Sequence, residues 1–130
     1  MRSILTILAV LVLSVPALSN PDYLPFPVSV GDKPAVETES SDNFAVVETA
    51  VAPSAAMAVR DVEGQIIVNI FPCDETGNVK NGVQPFILLF DASTSKSVSD
   101  NMQAKQLQSG WHLANVVGGG KTSRVLFQVE

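Results

Sequence analysis

The chain has 130 residues, 46% of them apolar and 16% charged, with thirteen acids against eight bases and a net charge of −5. That balance excludes a nucleic-acid binder, because displacing phosphate counterions takes several clustered Lys or Arg, and the bases between Gln65 and Glu130 stand singly along the sequence. A single cysteine, Cys73, excludes an intramolecular disulfide, and a single histidine, His112, excludes a blue-copper centre of two His and one Cys.

Met1-Arg2-Ser3, an apolar run from Ile4 to Leu13, and small residues at Ala17 and Ser19 form the three-part pattern of a secretory signal peptide over residues 1–19. The run ends at Ser14 and Pro16, short of the roughly 20 apolar residues that cross a bilayer. Cleavage is expected between Ser19 and Asn20, with a cut after Ala17 as the second choice. The mature product, residues 20–130, is then a secreted or periplasmic chain with no membrane span. It keeps seven bases and all thirteen acids, eight of the acids lying before Gly64.

Pro21-Asp22-Tyr23-Leu24-Pro25-Phe26-Pro27 fixes several backbone angles and removes amide donors, which predicts extended chain or an edge strand within residues 20–30. Gly31-Asp32-Lys33-Pro34 and the acidic, serine-containing stretch to Asn43 read as loop or linker. Residues 20–43 are therefore expected to precede a β domain over residues 44–130. Phe44-Ala45-Val46-Val47 is β-prone, whereas Ala50 to Arg60, broken at Pro53, fits strand, short helix or coil alike.

Gln65 to Phe71 is β-branched and apolar, as in a central strand covered on both faces. Cys73 follows its end and is expected to be buried, with a dimerising thiol as the alternative. Residues 73–82 hold two turn signals, Thr-Gly-Asn and Asn-Gly, and Pro85 to Asp91 is a second buried strand. Ala92 to Ser109 is polar, with Met102, Ala104 and Leu107 as expected core contacts and a short helix predicted from about Ser99.

Trp111 to Val117 and Thr122 to Val129 are two β-prone runs around Gly118-Gly119-Gly120-Lys121, a hairpin signature. A three-residue loop at Gly118 to Gly120 sets Leu113 opposite Val125 and Trp111 opposite Phe127, with His112 pointing outward. A two-residue turn at Gly119-Gly120 instead sets His112 opposite Phe127 and turns Trp111 and Leu113 away from the core. The apolar match on one face selects the three-residue loop. The glycines also resemble the end of a phosphate-binding loop, but Asn115 stands where that motif needs glycine, and strand-forming residues follow where it needs a helix.

Leu107-Gln108-Ser109-Gly110-Trp111-His112-Leu113, the glycine turn and the final alternating strand resemble the terminal hairpin of bacterial immunoglobulin-like or fibronectin type III-like secreted domains. The resemblance covers residues 107–130. It implies an all-β fold, an antiparallel immunoglobulin-like β-sandwich, and binding or scaffolding roles.

No chemistry-bearing pattern stands out beside it. Cys73 and His112 are too few for a zinc site. Asp74, Glu75 and Asn78, and Asp91 with Asp100, lack the spacing of an EF-hand loop and read as solvated turn carboxylates. No metal and no cofactor is expected. Cys73 and His112 could form a nucleophile pair only with partners that the sequence does not mark, and no Gly-x-Ser-x-Gly elbow occurs. The expectation is a small exported non-catalytic module that binds a protein or polysaccharide, or serves as an envelope or matrix component. Its partner surface would comprise Trp111, His112, Gly118, Gly119, Gly120 and Lys121. The alternatives are an exported hydrolase or thiol enzyme using Cys73 and His112, and an accessory subunit that completes its sheet in a complex. Oligomerisation is compatible with each.

Overall fold

A computed structural model describes residues 21–130; the expected signal peptide and the cut after Ser19 lie outside the described residues. The fold is all-β. Its strands are β1 (Val28–Val30), β2 (Lys33–Thr38), β3 (Ser41–Val47), β4 (Ala56–Val59), β5 (Gln65–Pro72), β6 (Phe86–Asp91), β7 (Ser95–Ser97), β8 (Gly110–Gly118) and β9 (Lys121–Val129). They form one sheet in the order β6-β5-β8-β9-β3-β2-β1-β4-β7, and its two ends curl toward each other as in a nearly closed barrel.

The inner faces share one core, whose largest members include Phe26, Phe127, Met57, Ile66, Ile70, Leu88 and Leu107. Within the strands, alternation places these side chains inward, and Phe26 and Leu107 enter from the connecting segments. In β5 Ile66, Val68 and Ile70 are buried, while Gln65 and Ile67 face solvent. The expectation that this strand is covered on both faces is thus corrected: Ile67 is 40% exposed, because no second layer packs outside it. Cys73, just past β5, is buried as expected and unpaired.

The sheet is mixed. All neighbours are antiparallel except β3 and β9, which run parallel with Ala45 opposite Val125 and Val46 opposite Leu126. A purely antiparallel arrangement is therefore corrected. The residues read as loop or linker, 31–43, instead form β2 and the first part of β3. Their polar composition reflects the solvent face, since Ala35, Ala45 and Val47 still fill the core. β2 bridges the two parts of the sheet, pairing first with β1 at Lys33 and Pro34 and then with β3 from Ala35. Nor is β1 an edge: it lies between β2 and β4.

The helix predicted near Ser99 is absent. Residues 98–105 form turns closed by the buried Asn101, whose Nδ2 donates to the carbonyls of Val98 and Lys105 and whose Oδ1 accepts from Lys105 N–H. A side chain that satisfies the local backbone competes with helix formation. Leu107 enters the core as expected, but Met102 is 65% exposed and Ala104 is exposed at positive φ.

The terminal hairpin has the register that the apolar match disfavoured. Gly118 pairs with Lys121, leaving Gly119 and Gly120 as a two-residue turn, and His112 faces Phe127. Both turn glycines have positive φ, 59° and 76°, the requirement of a type I′ turn whose twist matches the strands. His112 is consequently buried, not outward. One-face matching failed because both faces of this hairpin are covered at its Trp111 end.

Candidate functional site

Trp111 stands near the start of β8, and strand alternation sends its side chain to the face opposite His112. There it packs on a second small core of Cys73, Leu113 and Leu126, beside Phe44 and Val46. The indole is half-buried, fixed by its neighbours and still open to solvent.

Two clefts share it. The first, of about 480 Å³, is bounded by residues 80–86, residues 103–112 and the end of β5. Its wall carries the amides of Gln84, Gln103, Gln106 and Gln108 and two cations, Lys80 and Lys105, with no carboxylate. The Asn101-centred turns present Gln103 and Lys105 to it. Gln103 is itself anchored, its Oε1 accepting from Ile87 N–H at 2.9 Å.

The second cleft, of about 550 Å³, lies between the β2–β3 turn and the turn around residues 74–78. Phe44 and Trp111 supply aromatic surface there, with Ser40, Ser41, Asn43 and Thr76 as polar groups and Asp42 and Glu75 as acids. The 74–78 turn sits hard against β3, because a Cβ on Gly77 would come within 2.7 Å of the Phe44 ring.

His112 belongs to the wall of the first cleft but is only 3% exposed. Its Nδ1 lies 3.1 Å from the Gly110 carbonyl, which places the proton on Nδ1 and leaves Nε2 an acceptor. Nε2 has no protein partner among the described residues. Burial pulls the imidazole pKa down, and the Gly110 carbonyl opposes that only in part.

Cys73 also lines the first cleft. Its thiol pKa is pushed up to about 11, mainly by burial and secondarily by Asp74. An activated cysteine needs the opposite shift. Asp74 holds its own turn, its Oδ1 accepting from Thr76 N–H, Thr76 Oγ1 and Asn78 N–H at 2.9, 2.7 and 3.0 Å. These bonds, the Thr76 hydroxyl first, lower its pKa. Asp91 is occupied likewise by Ser93. Among the described residues no three His, Cys, Asp or Glu side chains gather as a metal site.

The expected partner surface is divided in space. Trp111 and His112 stand at one end of the hairpin, and Gly119, Gly120 and Lys121 are exposed at the other, roughly 23 Å away at about 3.3 Å per residue. The buried Gly118 adjoins that far turn. Sequence reasoning missed the glutamine and lysine set altogether. Its one visible trace was Gln103, Lys105, Gln106 and Gln108 crowded into six positions.

No family model, no curated protein and no solved structure matches this chain.

Proposed function

We propose that this chain is an exported, non-catalytic binding module of immunoglobulin-like β-sandwich type, and that it binds a polysaccharide laid across Trp111. Support for export is the signal-peptide pattern of residues 1–19. The topology favours the immunoglobulin-like assignment: β9-β8-β5-β6 corresponds in order to strands G-F-C-C′ of a variable-type domain, and β4 beside β7 to strands B and E. β2 crosses between the two sets as a corner strand does in sandwiches that close on themselves.

The observation that carries the ligand class is Trp111, an aromatic face held by packing on the ridge between two clefts rich in amides and hydroxyls. Sugars present apolar C–H faces and many hydroxyls, so they suit a fixed aromatic platform flanked by neutral hydrogen-bonding groups. Catalysis is disfavoured by the raised thiol pKa of Cys73. Sheet completion by a partner is disfavoured at β6, where Gln103 Oε1 and Met102 N–H already bind the outward N–H and carbonyl of Ile87.

The test is retention of the purified protein by a panel of neutral and acidic polysaccharides. Wild type should bind at least one, and Trp111→Leu, shown by thermal melting to be folded, should bind about tenfold more weakly. Folded wild type that binds none overturns the proposal.

A further inference from the structure

The five bases after Gly64 are scattered in sequence, yet the fold places two of them on the wall of one cleft. Lys80, from the stretch between β5 and β6, and Lys105, from the Asn101-organised turns, line the same cleft beside Trp111. That is unusual in this molecule. The other described clefts carry carboxylates: Asp42 and Glu75 in one, Glu37, Glu39 and Asp42 in another, and Asp91 in a third. The Lys80–Lys105 cleft has none, although acids outnumber bases thirteen to eight in the whole chain. Neither lysine makes an ion pair with a protein carboxylate among the described residues.

Resting on the polysaccharide reading, we infer that this cleft selects an acidic polysaccharide, with a uronate carboxylate held by Lys80 and Lys105 while its sugar ring lies on Trp111. The glutamine amides of the wall suit the ring hydroxyls. Two ammonium groups match one or two carboxylates along such a polymer, whereas a nucleic-acid duplex calls for many more phosphate contacts. Outside this cleft residues 21–130 carry thirteen acids against five bases, a net negative charge that disfavours a polyanion elsewhere and directs it to the cleft.

The experiment is affinity electrophoresis of the full mature protein through gels containing polygalacturonate, alginate or hyaluronate. Methyl-esterified polygalacturonate serves as the neutral counterpart and polyglutamate as an acidic polymer without sugar rings. Lys80 and Lys105 are exposed, so K80Q/K105Q keeps the fold, which melting verifies. An acidic polysaccharide should retard wild type about tenfold more strongly than the esterified polymer, with the advantage removed by K80Q/K105Q and by a tenfold rise in salt. Equal binding of charged and esterified polymers, unchanged in K80Q/K105Q, overturns the acidic selectivity and leaves the polysaccharide reading standing. Retardation by polyglutamate as strong as by polygalacturonate, and indifferent to Trp111→Leu, overturns the sugar ligand in favour of an acidic peptide. No retardation by any polysaccharide, neutral ones included, overturns both readings together.

Discussion

The imidazole of His112 lies stacked against the ring of Phe127, their centroids 5.7 Å apart and their planes inclined by 24°. This contact exists only because the hairpin turns on two residues, and it buries a titratable group in an apolar setting. The folded-state pKa is lowered by desolvation, while the unfolded chain keeps the ordinary value near 6.5. Above about pH 6.5 both states are neutral and the stability is complete. As pH falls below that value the unfolded chain takes up a proton that the folded chain resists, so stability declines. Urea unfolding should show a falling free energy from pH 7 to pH 5, and His112→Phe should flatten the slope. Since the chain has one histidine, a wild type with no slope in this window contradicts the buried imidazole.

Cys73 should resist alkylation. With its pKa pushed up to about 11, about one thiol in a thousand is ionised at pH 8, and burial obstructs even that fraction. Iodoacetamide should label native protein far more slowly than urea-unfolded protein, and Cys73→Ala should cost about 1 kcal/mol of stability. Fast native labelling would favour a thiol enzyme.

The segment before β1 is tied to β9 by Arg124 N–H, which donates to the Tyr23 carbonyl at 2.8 Å, and by the hydroxyl of Ser123. Ser123 Oγ donates to the Phe26 carbonyl at 2.9 Å and accepts from Phe26 N–H at 3.4 Å, in a fully buried site. Ser123→Ala leaves two buried backbone groups without that partner, at a cost of about 1 to 3 kcal/mol. The check is the urea midpoint, which should fall with the slope of the transition unchanged.

Gly120 gives a clean measure of turn geometry, because a Cβ there meets nothing within 4 Å while φ is +76°. Gly120→Ala should destabilise by about 1 kcal/mol, and Gly120→Asn by less, since asparagine tolerates the left-handed region. Equal stability of both variants and wild type would contradict the positive φ at Gly120 that the type I′ turn requires.

Strands β5, β6, β8 and β9 were legible because long β-branched or alternating runs ended at proline, glycine or Asn-Gly signals. β2 was not, since Lys33, Pro34, Glu37 and Thr38 mark its solvent side and only Ala35 is buried. The hairpin register escaped a one-face argument because Trp111, Leu113 and Leu126 have a core of their own on the other face. Trp111 was identifiable as a candidate from its type alone. Its clefts were not, since Lys80, Gln84 and Lys105 meet only through the folding of two polar loops that carry no periodicity.

Trp111 is the single tryptophan of the chain, so its fluorescence reports the proposed contact directly. Mature protein titrated with acidic oligosaccharides cut from the polymer that retards it should show a saturable change in intensity or emission maximum. K80Q/K105Q should shift that saturation to about tenfold higher concentration. An emission spectrum unchanged at saturating polysaccharide, with the protein folded and the polymer demonstrably bound, would place the ligand elsewhere and contradict the account.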